Sequence, residues 1–301
     1  MPDALFVFDR RSVRLHRDRA ASSLHQHDYL VREIAHRLVE RLDDIRRKFP
    51  VALDLGCRHG YRADDLARRG GVRTLVHCDL SPAMVGRAGS PCLVADEEAL
   101  PFAAGSFDLV VSLLNLHWVN DLPGALLQVR QVLKPDGLFL AAMFGGETLK
   151  ELRRALAEAE MEGEGGLSPR TSPFADVRDA GNLLQRAGFA LPVADSETLV
   201  VSYADPLALL ADLRGMGETN AVLERRKTVS RRATLFGALE RYRQLYSDAD
   251  GRVPATFQVI YLTAWAPDAS QPRPLRPGSA AARLADALGG VELPAGDLAR
   301  P

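Results

Sequence analysis

The chain has 301 residues, of which 26% are charged, with a formal net charge of -1 at pH 7 and a pI near 6.7. Such a balance provides no global field toward nucleic acid or an anionic membrane, so neither is expected as a partner. Apolar runs long enough to span a bilayer are missing, so no transmembrane segment is predicted. The three cysteines lack C-x-x-C spacing, which predicts reduced thiols in a cytoplasmic protein and no zinc site.

The basic residues are strongly biased toward arginine, since lysine occupies only four positions, 48, 134, 150 and 227. We interpret this bias as the background of a GC-rich bacterial genome rather than as a binding surface. The arginines near the N-terminus alternate with aspartates, and no apolar targeting segment follows them. A bacterial cytoplasmic protein is therefore predicted, which would meet the inner membrane only through a partner.

Strands and helices are predicted to alternate through the first half of the chain. A charged arm at 1–28, either mobile or capping, precedes a helix at 29–46 with apolar residues at helical spacing. Strands are expected at 51–55, 74–78, 91–95, 107–112 and 138–144. This alternation predicts an α/β fold with a mainly parallel, Rossmann-like sheet covered by helices on both faces.

The second half of the chain is predicted to be more helical. A Gly/Ser/Pro-rich loop at 162–173 is placed to close over an acceptor, or is an ordinary surface connection. A helical cap at about 205–250, including a helix at 218–229, would lie over the carboxyl edge of the sheet between the last two strands. The methyltransferase-like domain would thus span 29–266, followed by a Pro/Ala/Gly-rich tail at 267–301.

Acidic residues follow three successive predicted strands, where the strand ends of a parallel sheet face one crevice. Asp54 precedes a turn with Gly56 and Gly60, whose backbone can approach a ligand closely. Asp54 itself would face the amino acid ammonium of the cofactor or organise the loop around it. Asp79 would accept hydrogen bonds from ribose hydroxyls and Asp96 from an adenine amine. Because the turn lacks the full G-x-G-x-x-G fingerprint, the spacing favours S-adenosylmethionine over NAD. Further residues predicted to contact this cofactor are Cys57, Leu80 and Glu97.

An acceptor pocket is predicted after the fourth strand, where Asn115, His117 and Trp118 follow in sequence. His117 would act as a proton acceptor with a pKa suited to neutral pH, and Trp118 as a wall of the pocket. The alternative is that Trp118 covers the edge of the sheet while His117 caps the next helix. Although His77-Cys-Asp79 matches the H-x-D pattern of non-haem iron sites, Asp79 is committed to ribose, so no metal is expected.

The motifs LDLGCRHG, HCDLSPAM, ADEEALPF and VLKPDGLFLAAMFGG resemble those of class I S-adenosylmethionine-dependent methyltransferases. The segments FDRRSVRLHRDRAA, LRGMGETNAVLERRK and VPATFQVIYLTAWAP extend the resemblance to the complex I assembly factor 5 family. This resemblance implies a protein substrate, an iron–sulfur subunit of complex I, and hydroxylation of an arginine rather than methyl transfer. A neighbouring family with the same core motifs is the malonyl-acyl-carrier-protein O-methyltransferase of biotin synthesis.

Arg58 departs from the methyltransferase pattern, which has glycine at that position. It would be tolerated if its φ is ordinary and its side chain points outward; it could also approach the cofactor carboxylate or signal weakened binding. Two classes of function therefore remain open. One is an enzyme, either a methyltransferase or, as the family resemblance implies, a protein-arginine hydroxylase. The other is a non-catalytic assembly scaffold that uses a degenerate cofactor site.

Overall fold

A computed structural model describes residues 6–61, 63–272, 279 and 282–291. Its strands form one seven-stranded sheet in the order β3-β2-β1-β4-β5-β7-β6. The strands are β1 (Val51–Leu55), β2 (Thr74–Asp79), β3 (Cys92–Val94), β4 (Phe107–Leu113), β5 (Leu133–Phe144), β6 (Ala190–Tyr203) and β7 (Val253–Trp265). Strands β1 to β5 are parallel, and β7 is antiparallel to both of its neighbours.

Helices cover both faces of the sheet and confirm the predicted α/β fold. In chain order the helices of the part up to Asp268 are α1 (Arg10–Ala20), α2 (Tyr29–Glu40), α3 (Ala63–Gly70), α4 (Pro82–Ala88), α5 (Leu122–Val132), α6 (Lys150–Glu164), α7 (Val177–Arg186), α8 (Pro206–Gly215) and α9 (Arg232–Tyr246). One further helix, α10 (Leu284–Leu288), belongs to the C-terminal unit. Two apolar cores result, one on each face. Burial of these strands on both sides explains why β4 is mainly apolar and why every one of its residues is buried, including Asp108 and Ser112.

The N-terminal arm forms a capping helix rather than a mobile segment. Asp9 caps α1 by accepting a hydrogen bond from the Ser12 N–H at 3.0 Å. The backbone N–H of Asp9 also donates to the carbonyl of Ala221 at 2.8 Å, which ties the start of the helix to the region after α8. Three residues of α1 are buried, Val13, Arg17 and Ala20.

The helix predicted at 218–229 is wrong, because that segment forms turns and an irregular loop. Gly217 has φ +79, a conformation that ends α8, and Glu218 then turns its side chain into the protein. Val222 forms an isolated bridge with Phe8, and their side chains pack in one small cluster. These contacts with the N-terminal segment outweigh the local helical pattern.

The C-terminal part is a separate compact unit whose boundary follows Asp268. Most of the tail predicted at 267–301 lies outside the described residues, which in this unit include the short helix α10. Within the described part of the chain, no helix has the length and apolar character needed to cross a membrane.

Candidate cofactor crevice and acceptor cavity

The turn after β1 is fixed to the end of β2 by its own backbone. The N–H groups of Gly56 and Cys57 both donate to the carbonyl of Cys78, at 2.7 and 3.0 Å. Gly56 has φ +74, and a Cβ at this position would lie 2.2 Å from Cγ of Asn115. A Cβ on Gly60, at φ +70, would lie 2.6 Å from a backbone carbonyl oxygen. Both positions therefore require glycine, as the sequence pattern predicts.

Asp79 lies at the end of β2 with its carboxylate fully buried. Its Oδ2 accepts a hydrogen bond from the backbone N–H of Arg58 at 3.0 Å. Its Oδ1 accepts from the Ser81 N–H at 2.9 Å and from the Arg17 guanidinium at 3.2 Å. The strand end and the helix that follows thus hold this carboxylate in one orientation toward the crevice.

Asp96 and Glu97 follow β3, and both carboxylates bind the guanidinium of Arg10. Glu97 is completely buried and accepts a hydrogen bond from Nδ2 of Asn115 at 2.8 Å. Leu80 is half-buried against the small apolar cluster beside these residues. The fold therefore brings the predicted ribose and adenine residues together with two arginines of α1 that sequence reasoning missed.

Asp54 pairs with a histidine of the neighbouring strand β2. Its Oδ2 lies 3.0 Å from Nδ1 of His77, and both side chains are buried. Burial raises the pKa of Asp54, and this effect exceeds the opposing influence of His77. The geometry favours Asp54 as an organiser of the glycine turn, one of the two roles expected for it.

A metal site is not predicted by the sequence, yet three possible ligands lie close together. Ligand atoms of Asp54, Cys57 and His77 are all within 4.8 Å of one another. The expected H-x-D arrangement is not formed, because His77 pairs with Asp54 while Asp79 binds Arg17 and backbone N–H groups. The predicted absence of a metal stays a prediction.

His117 and Trp118 lie in a short 3-10 helix after β4 and share one carboxylate partner. His117 Nε2 is 3.0 Å from Oε2 of Glu218, and Trp118 Nε1 donates to the same oxygen at 2.9 Å. The Phe144 N–H is directed at Nδ1 of His117 at 3.5 Å, which fits a tautomer protonated on Nε2. Burial lowers the pKa of His117, although Glu218 opposes this.

Arg58 is neither ordinary in backbone conformation nor directed outward, so the first of the three alternatives for this residue is not met. Its φ is 50, and its side chain is only 1% exposed. The guanidinium donates to the carbonyls of Met216 at 2.7 Å and Leu114 at 3.0 Å, and it forms an ion pair with Glu218. A residue of the glycine turn therefore bonds directly to the segment that follows α8.

Glu218 is the main site residue that sequence reasoning missed. The motif LRGMGETN contains it, but the predicted helix at 218–229 gave no reason to place its side chain inside the protein. Its carboxylate is 5% exposed and joins Arg58 of the crevice to His117 of the acceptor side. Burial opposes its ionisation, yet His117 and Arg58 outweigh burial and lower the pKa of Glu218 to about 2.

An apolar cavity of about 340 Å³ adjoins this group. Its walls are aromatic and aliphatic side chains, with the glycine-rich loop supplying part of the rim as predicted. The walls include Trp118, Phe144, Phe174, Phe257, Leu149, Leu152 and Leu213, and the polar lining includes Glu218, Arg170, Thr171, Ser172, Arg214 and Asn220. Asn115 does not line this cavity; it binds Arg17 and Glu97 on the crevice side.

The residues predicted to hold a nucleoside cofactor lie together at one edge of the sheet, and the apolar cavity adjoins them. At Gly56 and Gly60 the turn has no side chain, so its backbone can lie close to a ligand. Asp79 beside it would supply the oxygens that accept hydrogen bonds from ribose. Asp96 and Glu97 lie where a base would be recognised. The individual roles assigned to these residues stay predictions, while their placement around one edge of the sheet is observed.

The fold and the site define a class I S-adenosylmethionine-dependent methyltransferase, an enzyme class whose cofactor is S-adenosylmethionine. A family profile described as "Methyltransferase domain" matches residues 53–141, which contain the glycine turn, Asp79, Asp96 and His117. The YcgJ protein from Bacillus subtilis has a similar fold, with a TM-score of 0.54 and 16% identity over 78% of this chain and 99% of that one. A putative methyltransferase solved with the Haloferax volcanii Trm112 activator gives a TM-score of 0.53 at 19% identity over 86% of this chain and 100% of that one.

Within this class, the chain belongs to the NDUFAF5 family. It is 45% identical to "Arginine-hydroxylase NDUFAF5, mitochondrial" of Danio rerio over 93% of this chain and 89% of that protein. The Homo sapiens protein of the same name is 44% identical over 93% of this chain and 82% of its own length. The malonyl-[acyl-carrier protein] O-methyltransferase of Halorhodospira halophila is 39% identical over 85% of this chain and 88% of that protein.

The predicted cytoplasmic location is wrong. Relatives that are 44–45% identical over 93–95% of this chain are named as mitochondrial proteins. The arginine bias reports on composition, and it does not identify a compartment. The predicted bacterial origin is not shown by these comparisons.

Proposed function

We propose that this enzyme modifies an arginine side chain of a protein substrate during assembly of respiratory complex I. The cavity beside the crevice carries the proposal, because Trp118 and Phe174 line it and the carboxylate of Glu218 lies among them. Aromatic faces and a carboxylate together attract a planar guanidinium. Two relatives that this chain matches over most of their length are named as arginine hydroxylases, and these names support arginine as the modified residue.

When bound, S-adenosylmethionine supplies a methyl group on a sulfonium. The residues of this chain would hold the cofactor at Asp79 and the glycine turn, and the apolar walls of the cavity would exclude water from the acceptor. Because Nε2 of His117 is bonded to Glu218, this histidine would orient that carboxylate, and it could take up a proton only at Nδ1, which faces the Phe144 N–H. Positioning is thus the main contribution that the described residues make.

Peptide mapping by mass spectrometry of a co-expressed iron–sulfur subunit of complex I tests the proposal. If the reaction is hydroxylation, as the relatives are named, a single arginine should gain the mass of one oxygen atom. If the reaction is methyl transfer, that arginine should gain the mass of one methylene group. Co-expression with the Asp79→Asn variant should leave the arginine unmodified. An unmodified subunit with the unaltered enzyme would refute the proposal and favour a scaffold.

A second candidate is O-methylation of a malonyl group on an acyl carrier protein. The observation that favours it is Arg214, exposed at the rim of the cavity, where a guanidinium can bind a carboxylate. Incubation of the enzyme with malonyl-acyl carrier protein and S-adenosylmethionine distinguishes the two. A methyl ester formed there, without any change in the complex I subunit, would establish the second function and exclude the first.

A further inference from the structure

Helix α1 places an arginine inside the cofactor crevice. The Arg17 side chain is 1% exposed, and it donates to Oδ1 of Asp79 at 3.2 Å and to Oδ1 of Asn115. Oε1 of Glu97 lies 3.8 Å from the same guanidinium. Arg17 thus occupies the carboxylate surface that the ribose of the cofactor would also use, so the two compete for Asp79.

The hydrogen-bonding capacity of Arg17 is only partly used. Its Nε is buried and has no hydrogen-bond partner among the described residues. An arginine fork usually satisfies Nε and one Nη together by binding a carboxylate in a bidentate manner. Asp79 offers Arg17 only one oxygen, Oδ1, which also accepts from the Ser81 N–H, while Oδ2 accepts from the Arg58 N–H.

The guanidinium lies beside the glycine turn. Asn115, which accepts from Arg17, is also the residue that a Cβ on Gly56 would strike at 2.2 Å. The glycine turn is predicted to lie against the methionine portion of the cofactor, whose end carries an ammonium and a carboxylate. A buried cation with an unused donor therefore stands next to the position where an anion has to be neutralised.

Helix α1 is anchored independently of Arg17, so the side chain can move while the helix stays. Asp18 accepts a hydrogen bond from the Ser81 hydroxyl at 2.5 Å, and Asp9 pairs with Arg225 at 3.1 Å. Arginine has enough rotatable bonds to change partners within one crevice without moving its backbone.

We propose that Arg17 is the ligand of the cofactor's carboxylate, exchanging Asp79 for that carboxylate when S-adenosylmethionine binds. The exchange releases Asp79 for the ribose hydroxyls and completes the arginine fork. Helix α1 would then be part of the cofactor site, although it lies outside residues 53–141, which match the methyltransferase profile. The inference rests on the cofactor and does not depend on which acceptor is modified.

Calorimetric titrations with two ligands test this assignment. S-adenosylhomocysteine carries the amino acid carboxylate, whereas 5′-methylthioadenosine has the same adenosine and no amino acid. Arg17→Ala should weaken S-adenosylhomocysteine binding by about 10- to 100-fold, as expected for loss of a charge-assisted bidentate contact. Binding of 5′-methylthioadenosine should stay equal or become tighter, because Asp79 is no longer occupied.

Two further variants control the experiment. Arg11→Ala removes an exposed arginine of the same helix and should leave both affinities unchanged. Arg17→Lys keeps the charge but not the fork, so it should recover part of the S-adenosylhomocysteine affinity. Thermal unfolding of each variant establishes that the folded protein is being titrated.

Three outcomes would overturn the proposal. Tighter binding of both ligands to Arg17→Ala would show that Arg17 only blocks the ribose site and does not bind the cofactor carboxylate. An equal loss for both ligands would make it a structural residue of the crevice. Failure of either ligand to bind the unaltered protein would remove the premise, whatever the mass-spectrometric test of the acceptor showed.

Discussion

Glu218 balances the charges at the boundary between the crevice and the acceptor cavity. Its one carboxylate is shared by Arg58, His117 and Trp118, and all of these side chains are buried. A buried guanidinium is tolerated only with such a partner. The arginine in the glycine turn is therefore compensated by a specific acid from a distant segment, which no local sequence pattern reveals.

Replacing Glu218 by glutamine should destabilise the protein by about 3 kcal/mol, because the buried Arg58 would lose its counter-charge. Urea unfolding at neutral pH measures this change in the free energy of unfolding. Glu224→Gln, at an exposed position in the same irregular segment, is the matched control and should change stability by less than about 0.5 kcal/mol. Equal effects of the two substitutions would show that the Arg58–Glu218 pair contributes nothing.

The same carboxylate predicts how stability depends on pH. The folded-state pKa of Glu218 is about 2, below its ordinary value of 4.5, so the unfolded chain binds the proton first as pH falls. The stability that Glu218 provides is therefore complete above about pH 4.5 and is lost as pH falls through about 2. The difference in unfolding free energy between the unaltered protein and Glu218→Gln should shrink across this window; a constant difference would contradict the assignment.

At the scale of elements, the glycine turn and its neighbours show what sequence can and cannot predict. Asp54, Gly56 and Asp79 follow a local pattern of strand and turn, so their position at one sheet edge was predictable. The partners of Arg17 and Glu218 lie far away along the chain, at Asp79 and Arg58, and their pairing depends on tertiary packing. The same reason explains the wrongly predicted helix at 218–229.

Gly56→Ala tests whether the glycine turn is held in one fixed backbone conformation. Alanine would have to adopt φ +74 and would place its Cβ 2.2 Å from Asn115, so we expect a loss of about 2 kcal/mol or more in unfolding free energy. Gly166→Ala is the matched control, since that glycine is exposed and a Cβ there meets nothing within 4 Å. Similar unfolding midpoints for the two variants would mean that the turn relaxes easily and has no fixed backbone conformation.

At the scale of the whole molecule, the sheet order β3-β2-β1-β4-β5-β7-β6 accounts for the arrangement of both sites. The carboxyl ends of β1, β2 and β4 meet at one edge, where the crevice forms. Residues of α8 and of the following segment line the adjoining cavity. Alternating apolar runs in the sequence predicted this sheet, whereas helix α1 entering the crevice could be recognised only in three dimensions.

Titration of the protein with S-adenosylmethionine, repeated on Asp79→Asn, tests the central claim most directly. The unaltered protein should bind one equivalent, and Asp79→Asn should bind about 10- to 100-fold more weakly, because a neutral amide replaces the charged ribose acceptor. Asp250→Asn, in the exposed turn before β7, should bind like the unaltered protein. Equal affinity for Asp79→Asn, or no binding by the unaltered protein, would contradict the cofactor crevice described above.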